Sequence, residues 1–167
     1  FASRLMSILA MVGLGVVIFL FASRLFGNLA GLLSLALFAV NPVFISQGSL
    51  ALTNPFLTFF VTLNLYLFFL LLKSFSMRLF IAFAATFALA LASKVNAFLL
   101  LPVYLVALIT VWHWQLPGYT VLGMHFANVR WRLLFRHAAV FVVTVLLVMF
   151  VVYQFKFGTL ADSVPPK

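Results

Sequence analysis

Between Arg24 and Lys73 the chain runs for 48 residues without a charged side chain. A single helix of that length would measure roughly 70 Å. The hydrocarbon layer of a bilayer is only about 30 Å thick, so the run must break and turn back on itself. Uncharged stretches of 19 residues between Arg4 and Arg24, 15 between Arg78 and Lys94, and 35 from Val95 to Val129 repeat the pattern. Composition closes off the soluble alternative: 67% of residues are hydrophobic, Phe occurs 22 times, and only 7% carry charge. A soluble domain needs about 25% charged residues to coat its surface. The expected fold class is all-α, a polytopic transmembrane helix bundle of about six spans plus one interfacial helix.

The six spans are predicted at Leu5–Ser23, Leu29–Ser46, Pro55–Leu72, Leu79–Ala92, Val95–Trp112 and His137–Phe155. Gly27-Asn28 supplies a tight turn after the first. Asn41-Pro42 should kink the second, because proline removes a backbone donor. Thr53-Asn54-Pro55 opens the third with a cap followed by proline at the first helical position. Ala82, Ala85, Ala88 and Ala92, like Gly27-x-x-x-Gly31, mark close helix packing more often than a functional site. Val129–Arg136 mixes arginine with aromatic residues as an interfacial helix does, and Trp112, Trp114 and Tyr119 fit an aromatic belt.

The net charge of +9 is scattered between apolar runs, so it flanks membrane spans and does not form a nucleic-acid surface; the expected partner is the lipid bilayer. Alternating the connections puts Arg24, Lys73, Arg78, Arg130, Arg132 and Arg136 on one face, against Arg4, Lys94, Lys156 and Lys167 on the other. The positive-inside rule makes the first face cytoplasmic. There is no cysteine, hence no disulfide framework and no thiolate chemistry. His113, His125 and His137 lack metal-ligand spacing and read as interfacial packing residues.

On this topology the remaining polar residues collect at the outer face. The second connection carries Gln47, Ser49, Thr53 and Asn54, and the fourth carries Ser93, Lys94 and Asn96. Lys94 follows only 15 uncharged residues, about 23 Å of helix, so its ammonium is expected at or below the headgroups. A cation there either snorkels to the surface or meets an anion. Lysine suits a phosphate as a compact point charge, with Ser93 and Asn96 adding neutral hydrogen bonds.

The stretch Arg24–Leu37 followed by Ala39-Val40-Asn41-Pro42 resembles the second and third helices of polyprenyl-phosphate-dependent glycosyltransferases. These are the GT-C superfamily, specifically its protein-mannosyltransferase (glycosyltransferase family 39-like) and aminoarabinose-transferase relatives. Ser49-Leu50-Ala51-Leu52-Thr53-Asn54 is similar to the polar turn that follows there, and Pro55–Leu72 to the next Phe/Leu-rich helix. Ala92-Ser93-Lys94-Val95-Asn96-Ala97, running on to Leu101-Pro102, is similar to a later Ala-(Ser/Thr)-Lys-x-x-(Ala/Gly) segment. The likeness covers about residues 4 to 110. It implies transfer of a sugar from a polyprenyl-phosphate carrier to an acceptor at the outer membrane face. Lys94, Ser93 and Asn96 would then hold the donor phosphate, and Thr53, Asn54, Ser49 and Gln47 would border the sugar pocket.

In such enzymes the catalytic carboxylate, needed to accept a proton from the acceptor hydroxyl, lies in the first external loop after the first helix. The whole chain, residues 1–167, is accordingly expected to be an internal part of a GT-C-type transmembrane domain, with that helix and loop preceding Phe1. No catalytic residue and no cofactor is assigned within it. Asp162 does not match the family position, and Asn54 stands where many relatives place Asp, which leaves a divalent metal in the full-length protein an open question. The expected location is a bacterial inner (plasma) membrane, multi-pass, with the active face outward. The alternative, a secondary transporter or permease subunit, would show broken helices meeting near mid-membrane and inverted repeats. Neither is visible, and a purely structural subunit is the third reading. Sequencing upstream of Phe1 should reveal one more span and an external loop bearing Asp or Glu; a segment without such a loop contradicts the glycosyltransferase assignment.

Overall fold

A computed structural model describes residues 2–49, 54–114 and 131–153, and among these the chain is helical with no strand. α1 spans Ala2–Phe26, α2 Asn28–Val40, α3 Pro42–Ser49, α4 Asn54–Lys73 and α5 Met77–Ser93. A 3-10 turn, Val95–Leu99, leads into α6, Leu100–Trp114, and α7 covers Trp131–Tyr153. Three segments are long and apolar enough to cross a bilayer alone: Leu5–Phe26, Asn54–Lys73 and Phe135–Tyr153. Asn28–Val40, Met77–Ser93 and Val95–Val111 are shorter apolar helical segments. Apolar side chains outside as well as inside complete the membrane signature. On α1, Ser7, Ala10, Met11, Leu14 and Val17 are buried at helical spacing, while Leu5, Leu9, Val12 and Val16 are exposed.

The breaks have local causes. Gly27 turns the chain at φ +94, a conformation glycine adopts without a side-chain penalty. Gly31 then lets α2 lie against α1, since a Cβ there would collide with Ser23 Oγ and press on Phe19 O. The anticipated kink at Pro42 is a full break. Asn41, pushed to extended backbone (φ −74, ψ 117) as residues before proline are, ends α2. Its side-chain Oδ1 accepts from the Val43 N–H at 3.0 Å and caps α3. The fifth span also differs from expectation, because Val95–Leu99 is wound as a 3-10 turn before α6 begins. Trp131–Arg136, read as part of an interfacial helix, is continuous with α7.

Packing fixes the direction of each helix. Gly13 lies against Phe59, and Phe21 packs at a tilt on Tyr66 and Phe69 at 5.7 and 5.6 Å, so α1 and α4 run parallel. Phe80 meets His137 at 5.5 Å, Phe87 meets Phe141 at 5.5 Å, and the Tyr153 hydroxyl donates to Ala92 O at 3.3 Å, so α5 and α7 are parallel too. α5 returns antiparallel to α4. Arg24, Lys73, Arg78, Arg132 and Arg136 therefore share one end of the bundle, while Asn54, Lys94 and Asn96 share the other. The core joins Leu71, Phe80, Phe83, Phe87, Leu100 and Tyr104, with Phe141 and Val145 packed on it. The alanine face is shifted from the expected one: Ala84, Ala88 and Ala90 are buried, Ala85 and Ala92 are half-buried, and Ala82 is exposed.

Mid-bundle, Asn64 is fully buried on α4. Its Nδ2 donates to Phe83 O and to Thr86 Oγ1, each at 2.7 Å, and its Oδ1 accepts from the Tyr104 hydroxyl. One amide thus ties α4, α5 and α6 together in a medium with no water to replace the bonds. Asn64→Leu should lower unfolding stability by about 1–2 kcal/mol, and Tyr104→Phe by less, given the measured range for interhelical bonds in membranes. In thermal unfolding of detergent-solubilised protein the two losses should be non-additive; full additivity would deny the pairing.

Candidate functional site

At the end opposite the arginines, the chemistry starts from a break in the backbone. α5 stops at Ser93, and Lys94 is extended at φ −164, ψ 134. Its N–H still donates to Ala90 O at 3.1 Å, and its carbonyl accepts from the Ala97 N–H at 3.1 Å, which starts the 3-10 turn. Lys94 is exposed. Two residues on, Asn96 lines a groove of about 230 Å³ with Leu57 and Val61 of α4 and Ala97, Leu100 and Val103. The break thus sets an ammonium-bearing residue in the segment that forms the upper wall of an apolar groove.

The other candidate residues are distributed as follows. Asn54 begins α4 at the same end, half-buried, and its carbonyl accepts from Thr58 Oγ1 at 2.9 Å. Ser93 is half-buried, and its hydroxyl donates to Leu89 O at 2.9 Å, so its proton is committed to its own helix in this state. Gln47 and Ser49 fall on α3, with only their backbone described, and Thr53 lies outside the described residues, as do His125, Tyr119 and Asp162. The structure brings Lys94, Asn96 and Asn54 to one end of the bundle.

Among the described residues no three His, Cys, Asp or Glu side chains gather. The described imidazoles are far from a ligand set: His113 is exposed in the last turn of α6, and His137 is buried between Phe75 and Phe80 at 4.9 and 5.5 Å. His137 is thus a core residue of the helix bundle, more enclosed than an interfacial one.

Sequence reasoning missed the Asn64–Thr86–Tyr104 cluster. The signal was present: an asparagine in the middle of an uncharged apolar span is costly unless paired. It also missed a cavity of about 440 Å³, which lies toward the arginine end, away from Lys94.

A multi-pass helical membrane protein with a polar, cation-bearing end above an apolar groove is the class these features define. Residues 1–127 match the dolichyl-phosphate-mannose-protein mannosyltransferase family, and the chain belongs to that family of GT-C-type membrane glycosyltransferases. No curated protein and no solved structure matches it.

This chain has no cysteine, so a cysteine introduced into it, with any cysteine elsewhere in the protein replaced, checks sidedness directly. In the intact protein in cells, Lys94→Cys should react with a membrane-impermeant maleimide from outside, and Ser74→Cys only after permeabilisation. The reverse pattern would invert the assigned orientation.

Proposed function

We infer that the chain contributes the donor-binding part of an enzyme that transfers a sugar from a polyprenyl-phosphate carrier at the outer membrane face. The supporting observation is the break at Lys94, which places an exposed cation two residues from Asn96 in the wall of the Leu57/Val61/Leu100 groove. A polyprenyl-phosphate has the matching two-part chemistry: an anionic head and a long apolar tail. The tail would lie along the groove while the Lys94 ammonium meets the phosphate.

In sugar transfer the acceptor hydroxyl attacks the anomeric carbon and the bond to the carrier phosphate breaks. Negative charge grows on the departing phosphate oxygen, and a cation held beside it lowers that barrier. Asn96 adds a neutral donor from the groove wall. Ser93 would join only by turning its hydroxyl away from Leu89 O. Asn54, with Thr53, Ser49 and Gln47 on the preceding connection, would border the sugar. The general base is assigned to no described residue. The bacterial plasma membrane is the proposed setting, and the acceptor is left open.

A permease would need a polar path through the middle of the bundle. The mid-bundle polar cluster at Asn64 is buried and spends its hydrogen bonds on Phe83, Thr86 and Tyr104, which favours the enzyme.

In the intact protein, Lys94→Ala should reduce kcat/KM for a polyprenyl-phosphate sugar on the order of tenfold to a hundredfold, the range expected for losing a hydrogen bond to a charged group. Lys94→Arg should keep a substantial part of the activity, because the charge remains. Undiminished transfer by the alanine variant would reduce Lys94 to a snorkelling cation.

A further inference from the structure

A cavity of about 440 Å³ opens between α6 and α7 over a floor from α4 and α5. Its walls include Leu72, Phe80, Tyr104, His137, Ala138 and Phe141. Three residues on its rim, Leu105, Ile109 and Val142, are 58%, 56% and 53% exposed, so it is a lateral cleft facing the lipid. Its size falls within the roughly 300–1,000 Å³ of small-molecule sites.

Cations lie close in sequence to the residues at one end of this cleft. Leu72 is followed by Lys73, His137 is preceded by Arg136, and Arg78 lies two residues before Phe80. Phe75, in the α4–α5 turn, packs on His137 at 4.9 Å, which draws Lys73 and Arg78 toward the start of α7. Arg132 and Arg136 are one helical turn apart. All four cations are exposed. Lys73 Nζ sits 4.8 Å from the Phe69 ring centre, and no carboxylate is found among the described residues.

We propose that this cleft is a binding site for an anionic phospholipid, with an acyl chain between α6 and α7 and its headgroup phosphate among Lys73, Arg78, Arg132 and Arg136. Membrane-flanking arginines alone are commonplace and attract anionic lipid diffusely. The cleft makes the difference, because it offers the acyl chain a shaped apolar slot directly beneath the cations. The site lies at the opposite end of the bundle from Lys94 and does not depend on the donor assignment.

Native mass spectrometry of the intact protein, purified with phosphatidylglycerol and phosphatidylcholine in equal amounts, tests this. The wild type should retain phosphatidylglycerol in several-fold excess. Arg132→Gln with Arg136→Gln should erase most of that several-fold preference and bring retention of the two lipids close to equal, and replacing both with Lys should restore it. Ala138→Trp, at an exposed position on the cleft wall, should lower retention of both lipids while leaving every charge in place. Equal retention of the two lipids by the wild type would overturn the proposal. So would undiminished phosphatidylglycerol on the Ala138→Trp variant, since the headgroup would then be binding without the slot. Retention of neither lipid would mean that another part of the protein fills the cleft, and would overturn it as well.

Discussion

One buried amide sets the alignment of this bundle. Asn64 bonds to α5 through Phe83 O and Thr86, and to α6 through Tyr104. Because the hydrocarbon layer offers no competing partner, a slip of any one helix would strand polar atoms in apolar surroundings. The three anchor residues also set a common level. Asn54 is ten residues above Asn64 along α4, Lys94 eight above Thr86, and Asn96 eight above Tyr104. At about 1.5 Å per residue in helix, these offsets are roughly 12 to 15 Å each. The amide at mid-bundle therefore holds the polar residues of three separate segments at similar height.

That levelling explains how much could be seen from the sequence alone. Spans, turns and the gathering of polar residues at one end were legible, because charge-free length and proline or glycine punctuation are local signals. Asn41-Pro42 announced a disturbance, although the severity of the break depended on the Asn41 side chain capping the next helix, a contact that sequence spacing does not reveal. The expected alanine face was met at Ala88 and in part at Ala85 and Ala92, but not at Ala82: in an apolar medium small residues are packed or exposed according to where the neighbouring helices lie. His137, read as an interfacial packing residue, is packed between Phe75 and Phe80 and buried more deeply than that reading expected.

The candidate site was less legible than the fold. Lys94 stood out by charge, and the family likeness pointed to the same segment. The extended residue at Lys94 and the 3-10 turn after it came only with the structure, as did the groove that Asn96 shares with Leu57 and Val61. Ser93 looked like a phosphate donor by position, but its hydroxyl is turned to Leu89 O. The two ends of the bundle now divide by chemistry. An exposed lysine beside a groove of about 230 Å³ suits one specific phosphate, whereas four cations near a lateral cleft of about 440 Å³ suit the anionic surface of the bilayer itself.

The central claim is that the donor enters at the Lys94 end. Photocrosslinking the intact protein with a polyprenyl-phosphate analogue, bearing its reactive group on the isoprenoid nearest the phosphate, tests it most directly. Label should appear on peptides covering residues 93–103 and the start of α4. Label confined to the cleft between α6 and α7 would contradict the account, because the donor would then sit among the arginines and not beside Lys94.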